Sequence, residues 1–170
     1  MEHEIKILRV DPAAVTAALE AMGARKVFDA ERTITHFDTA DRAFARMDTQ
    51  IKVTQEGSVK LTVTARATSD SPEERKTKVG ENIASLLELL NLHAIAEVKA
   101  HRISYELSEV DFDIDLFPGI PPFLEIDASE AGLGPLIGRL GLEGHERVRR
   151  NTPGVFTYFG KEYFAEFRKA

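Results

Sequence analysis

An α+β protein built on an antiparallel sheet, closed or nearly closed on itself, is the fold class this sequence predicts. Three observations point there. About eight stretches alternate apolar and polar residues at the period of a strand. Most of them follow one another across short turns, as antiparallel hairpins do. Closing such a sheet removes edges that would otherwise stay exposed. An open sheet with helices on one face is the alternative.

The elements follow in order. In Glu2-His3-Glu4-Ile5-Lys6-Ile7 the charged residues share one parity and the isoleucines the other, which predicts a strand. Asp11 as N-cap and Pro12 at the first helical position open a helix with Val15, Leu19 and Met22 at helical spacing, and Gly23 supplies its C-terminal cap. A second strand covers Lys26 to Phe37. After Asp38-Thr39-Ala40-Asp41 comes a hairpin over about 50–54 and 59–66, turning at Glu56-Gly57. Residues Ala67 to Glu74 read as a loop and Arg75 to Val79 as a short strand. A helix over about Glu81 to Asn91 should pack Ile83, Leu86, Leu87 and Leu90. Strands follow over about 96–107, 110–116 and 123–127, then a helix over about 131–140 and an aromatic tail. The order strand–helix–strand–strand–strand occurs twice, from Glu2 and from Arg75, as an internal duplication would produce.

The length suits one domain over residues 1–170, with a core over about 1–128 and the helix and tail over about 129–170. Apolar residues at 43% and charged residues at 29% leave little room for disorder or a coiled coil. The net charge of −6 argues against nucleic acid as a partner. No apolar run approaches the roughly 20 residues of a membrane helix, and the acidic start is unlike a signal region. The expectation is therefore a cytoplasmic protein without membrane contact. Without cysteine there is no thiolate metal site or nucleophile.

Acids at period two recur on three strands: Glu2 and Glu4; Asp111, Asp113 and Asp115; Glu125 and Asp127. On one strand this is a solvent face. On three, like charges repel across the sheet unless cations offset them. Either basic side chains or a divalent metal would do so, and carboxylate oxygens suit magnesium or manganese. Lys6, Lys52, Lys60, Lys76, Lys78 and Arg102 are the bases at matching periodicity. Acids that hold a metal beside bases that grip phosphate are what a metal–polyphosphate ligand requires.

These residues resemble a known family. Glu2-His3-Glu4-Ile5-Lys6 is similar to the ExExK signature of the CYTH domain of class IV adenylate cyclases and thiamine triphosphatases, the triphosphate tunnel metalloenzymes. His36-Phe37-Asp38-Thr39 resembles its YFDT segment and Arg102-Ile103-Ser104-Tyr105 its RxxY. The stretch from Asp115 through Phe117, Gly119, Phe123 and Glu125 to Asp127 is similar to its D-x-V-x-G-x-G-x-F-x-E-I-E. The resemblance implies an eight-stranded antiparallel closed β-barrel with helices packed outside and a charged tunnel that binds a triphosphate. It implies Glu2, Glu4, Glu125 and Asp127 as ligands of one or two Mg2+ or Mn2+ ions, with Asp127 in place of a Glu. Lys6 and Arg102 are implied as phosphate-binding bases, and Asp115 as an acid near the metal or the attacking water.

The departures are equally specific. Gln50-Ile51-Lys52 stands where the family carries Arg-x-Arg, Thr64 and Ala100 where it carries lysines, and Lys76-Thr77-Lys78 where it carries Glu-x-Glu. A charge swap, with Lys76 and Lys78 restoring positive charge, and the drift of a protein that no longer hydrolyses triphosphates are equally good readings. The expected activity is metal-dependent hydrolysis of inorganic tripolyphosphate or a small organic triphosphate. In it Asp115, Glu4 and Lys6 take part in the chemistry, and Lys6, Lys52, Lys60, Lys76, Lys78 and Arg102 hold substrate. The alternatives are a non-catalytic polyphosphate-binding module and a class IV adenylate cyclase making cyclic AMP from ATP.

Gly132, Gly134 and Gly138 miss the dinucleotide spacing and read as helix-flanking. His145-Glu146 lacks the second histidine of a zinc helix. Arg147, Arg149 and Arg150 read as a solvated or partner-facing patch. The tail aromatics Phe156, Tyr158, Phe159, Tyr163, Phe164 and Phe167 read as a packing strap over the barrel end, with a homodimer interface as the alternative.

Overall fold

The strand pattern rests on alternation, and the register of neighbouring strands shows which parity each one buries. The computed structural model describes residues 2–68 and 72–169, with side chains from position 4 onward. In chain order the elements are β1 (Glu2–Leu8), α1 (Pro12–Ala21), β2 (Arg25–Asp38), α2 (Ala43–Arg46), β3 (Thr49–Glu56), β4 (Ser58–Ala65), β5 (Glu73–Lys78) and α3 (Ile83–Leu89). They continue with β6 (His93–Leu107), β7 (Val110–Leu116), β8 (Phe123–Ser129), α4 (Glu130–Arg139), β9 (Arg147–Val148), α5 (Thr152–Tyr158) and α6 (Tyr163–Glu166). The strand order is β5-β4-β3-β2-β6-β7-β8-β1-β9, and every pair whose register is described is antiparallel. The protein is thus α+β on an antiparallel sheet. Among the described residues nine strands replace the eight expected, the ninth being the two-residue β9. The doubled order is visible as β1-α1-β2-β3-β4 and β5-α3-β6-β7-β8, with α2 inserted in the first copy. No helix among the described residues is long and apolar enough to cross a membrane.

The chain divides into two compact units, Met1–Glu31 with Ala100–Arg149, and Arg32–Lys99 with Arg150–Ala170; β2 and β6 contribute to both. In the first unit, Ile5 and Ile7 of β1, Phe112 and Ile114 of β7, Leu124 and Ile126 of β8 and Tyr105 of β6 are buried. They form one core with Val15 and Leu19 of α1 and Leu133 and Ile137 of α4. Full burial of each such side chain contributes about 1.5–3 kcal/mol. Asp11 caps α1 by accepting from the Ala13 N–H at 3.0 Å, and Gly23 takes φ +83°, which a residue with a Cβ adopts only under strain.

In the second unit, Phe37, Ile51 and Val53 form a core with Leu87 of α3 and Leu92. On the opposite face of β2, the His36 ring meets Tyr163 and Phe164 edge-on at 5.3 and 5.1 Å. The tail is therefore packed helix, with Phe156 against Tyr163 and Phe167.

Several expectations are corrected here. Leu86 and Leu90 do not pack: they are 48% and 70% exposed, and among the leucines of α3 only Leu87 is buried. The helix spans seven residues, and its contact stripe is Ile83, Ala84 and Leu87, with Ile83 packing as expected and Leu86 turned off the stripe. Gly132, Gly134 and Gly138 lie inside α4, together with Pro135, and do not flank it. The Ala67–Glu74 loop falls in part (69–71) outside the described residues, and β5 already begins at Glu73.

Candidate metal centre

Burying the Ile5/Ile7, Phe112/Ile114 and Leu124/Ile126 parity forces the other parity of the same strands onto the opposite sheet face. Register then fixes which charges meet. Glu4 stands opposite Asp127, Lys6 opposite Glu125, Asp111 opposite Asp127, Asp113 opposite Glu125, and Arg102 opposite Asp115. Glu4, Asp111, Asp113, Asp115, Glu125 and Asp127 thus share this face with Lys6 and Arg102.

Glu4, Glu125 and Asp127 each present one carboxylate oxygen, and the three lie within 4.8 Å of one another. Beside them the Lys6 ammonium, 2% exposed, pairs with Glu4 and lies 3.2 Å from Glu125. Arg102 donates to Asp115 through Nε at 2.7 Å and Nη2 at 2.5 Å, and to Asp113 through Nη1; its Nη2 lies 3.9 Å from Glu125. Asp115 is fully buried, and Ser104 donates to Asp113.

The electrostatics match the geometry. Burial foremost, then the charge of Glu125, pushes the Asp127 carboxyl up to about 6; Asp113 and Asp111 add to this and Lys6 opposes it. Burial also raises the Asp113 carboxyl, against the pull of Arg102. Burial works against the charged form of Arg102, yet Asp115, Asp113 and Glu125 together hold its pKa well above the ordinary value. A carboxyl that resists ionisation because it is withdrawn from water, and then because its neighbours are anionic, is short of positive charge. A hard oxygen donor set of this size and charge fits Mg2+ or Mn2+.

The structure brings Glu4, Lys6, Arg102, Asp115, Glu125 and Asp127 together in the first unit. Glu2 lies in β1 opposite Ser129, but its side chain, like that of His3, falls outside the described ones. Lys52, Lys60, Lys76 and Lys78 belong to the second unit. Lys52 and Lys76 lie 4.0 and 3.5 Å from Glu74, Lys60 lies 3.7 Å from Glu56, and Lys78 stands opposite Lys60 in register. At the altered position Thr64, the hydroxyl donates to Glu74 at 3.1 Å.

Sequence reasoning placed Asp113 on the acidic face but did not make it a member of the site. Its place opposite Glu125 depends on the register across the turn at Pro118–Pro122, which alternation alone does not fix. It also missed Arg32, 7% exposed and 3.3 Å from Glu56, which no spacing signal marks.

No family model matches the sequence, and no curated protein matches it. Solved structures do resemble it. A putative adenylate cyclase from Vibrio parahaemolyticus superposes with a TM-score of 0.76 at 16% identity, over 92% of this chain and 97% of that one. Another protein so named, from Bacillus halodurans, gives 0.63 at 11% identity over 92% and 97%. HpAC1 from Hippeastrum, of the same naming and described with a dominant triphosphatase activity, gives 0.69 at 18% identity over 95% and 97%. At these identities the likeness is one of fold. The chain has the fold of these proteins, the CYTH fold that the ExExK resemblance implies.

Proposed function

We propose that the protein hydrolyses a triphosphate, inorganic tripolyphosphate or a small organic triphosphate, with a divalent cation held by Glu4, Glu125 and Asp127, and with Glu2 as a further ligand. The observation that carries this reading is the three-carboxylate cluster with Asp127 held at about 6, placed directly beside Lys6 and Arg102. When bound, the cation would neutralise phosphate oxygens and polarise the terminal phosphorus.

The chain's own residues do the rest. Lys6, anchored between Glu4 and Glu125, offers an ammonium to a phosphate oxygen. Arg102 has its plane fixed by Asp115, so it turns a preset guanidinium edge toward the ligand. Fully buried and spent on Arg102, Asp115 positions that base and does not touch water. Asp113 is partly accessible and is fixed by Ser104 and Arg102; in this reading it orients the attacking water. Water adds to the terminal phosphorus, the bond to the bridging oxygen breaks, and diphosphate leaves as phosphate forms. Catalysis is positional and electrostatic, as phosphoryl transfer requires of a protein. Lys52, Lys60, Lys76 and Lys78 are proposed as further phosphate ligands.

A second reading, binding without turnover, is favoured by one observation: Lys6 and Arg102 already pair with carboxylates, while Thr64 and Ala100 stand where the resemblance expects lysines. Phosphate release from tripolyphosphate and from ATP with Mg2+ or Mn2+ separates the readings. Metal-dependent release that falls about 100-fold in Glu125→Gln supports hydrolysis. Tight calorimetric binding without release supports the binding module. Cyclic AMP from ATP would instead support the cyclase.

A further inference from the structure

The two repeats differ in what covers their helix, and the difference leaves one apolar face bare. Setting Gly23 after α1 against Asn91 after α3, both left-handed at φ +83° and +59°, brings the two helices into phase. Val15 then corresponds to Ile83, Leu19 to Leu87 and Glu20 to Glu88, and β2 starts at Arg25 where β6 starts at His93. The packed stripe is the same in both repeats: Val15 and Leu19 in the first unit, Ile83 and Leu87 in the second.

The neighbouring stripe is not. Ala18 and Met22 of α1 pack against the core that α4 completes with Leu133 and Ile137. Their counterparts on α3 are the larger Leu86 and Leu90, and both are exposed. The fourth strand of each repeat differs in the same way. In the first unit α4 follows β8 and packs on it, and Leu124 and Ile126 of β8 have no solvent contact. In the second unit no helix follows β4 among the described residues, and Val63, opposite Ile51 in register, is 37% exposed. The second unit lacks the cover that α4 gives the first.

Leu86, Leu89 and Leu90 stand at i, i+3 and i+4, so they share one face at the end of α3. Asn82 and Ser85, one turn before Leu86 and Leu89, flank them without charge, while Glu88 falls on the far side of the helix. Large apolar side chains exposed together, with no charge among them, mark a surface that another surface covers. In the first unit the cover is a helix with apolar residues of its own. Among the described residues one helix exposes more than one large apolar side chain, and it is α3 itself. A face that meets its own kind closes about a twofold axis, and this one does so without burying an unpaired charge.

We propose that the protein forms a twofold dimer through α3, in which α3 of a second molecule of this chain packs against Leu86, Leu89 and Leu90 and supplies the cover that α4 gives the first unit. The patch is short, so the dimer is weak, with a dissociation constant on the order of 10–100 µM. Its formation needs neither metal nor triphosphate.

Sedimentation equilibrium of the full chain, without metal or triphosphate, from about 1 to about 500 µM tests this. The mass should rise from that of the 18.9 kDa chain toward that of a dimer. It should do so equally at about 0.5 M NaCl, because apolar contact is not screened. Leu86→Glu and Leu89→Glu, each at an exposed position, should both stay monomeric throughout with an unchanged urea midpoint. Val27→Glu and Tyr158→Glu remove exposed apolar side chains of β2 and α5 and should dimerise as wild type does. A wild type that stays monomeric up to the highest concentration would overturn the proposal. So would a dimer that survives both leucine variants, one that Tyr158→Glu abolishes, or one that salt dissociates, the last two pointing to the tail or to the charged edge strand β5.

Discussion

Asp115 has no solvent contact, and both of its oxygens accept from Arg102. Removing the guanidinium strands a buried carboxylate, so Arg102→Ala should cost about 3–5 kcal/mol in urea unfolding, a larger loss than the paired substitution of both residues by neutral ones. Arg102→Lys keeps the charge but cannot donate twice in one plane, and it should fall between wild type and Ala. The neighbouring acids behave differently. Glu4→Gln removes one of the clustered oxygens and should weaken Mn2+ binding at least about tenfold by calorimetry, because affinity at such sites follows ligand charge. Lys6→Ala removes the cation between Glu4 and Glu125; it should leave Mn2+ binding intact or stronger while triphosphate affinity falls. Equal, negligible effects of both variants would reduce this face to a charged sheet surface. That the acids share a face was legible because alternation is geometry. That Lys6 is tied to Glu125, or that Arg102 spans Asp113 and Asp115, was not, because those pairs depend on register.

Individual elements show where local signals suffice and where packing overrides them. Asp11, Pro12 and Gly23 bracket α1 in sequence and do so in the structure, because capping is a contest among nearest neighbours. The apolar spacing of α3 also marked a helix correctly, but not its partners. How many leucines a helix buries depends on how much sheet lies under it, and here that is one turn, leaving Leu86, Leu89 and Leu90 exposed. The helix α2 escaped detection because it has four residues and its N-terminal N–H groups are met from outside, by Asp38. In α4 the glycines read as flanks because glycine weakens a helix interior, yet they lie inside it. Gly134 makes that cost testable against its successor: a Cβ there would meet nothing within 4 Å beyond its chain neighbours, but the next residue is Pro135, whose ring disfavours a helical residue carrying a Cβ before it. The gain of about 0.5–1 kcal/mol that alanine brings to a helix interior is therefore opposed, and Gly134→Ala should leave the urea midpoint unchanged or lower, at unchanged slope. A clear rise in the midpoint would mean that the proline ring does not constrain this turn of α4.

For the molecule as a whole, half-buried Asp127 and buried His36 pull stability in opposite directions over the same pH range. The Asp127 carboxyl titrates near 6 in the folded protein against 3.8 as a free side chain, so the folded state holds the extra proton between those values. Its contribution is full below about 3.8 and is lost as pH rises toward 6. His36 does the reverse: with a folded value near 3 against 6.5, the unfolded chain holds the extra proton, and stability is lost as pH falls from 6.5 toward 3. In one cooperative transition of the metal-free protein the two slopes partly cancel between about 4 and 6. If the two units unfold separately, the transition carrying Asp127 should weaken with rising pH while the one carrying His36 strengthens. Asp127→Asn removes the first slope in either case, so the variant should gain stability relative to wild type as pH rises from 4 to 6, and the gap should stay constant above that range. Adding Mn2+ to wild type should narrow the gap, because a bound cation would supply the positive charge that Asp127 otherwise replaces with a proton. A wild-type profile that matches Asp127→Asn at every pH would mean that this carboxyl ionises as freely as one in water, and that the acid cluster carries no unmet charge for a metal to neutralise.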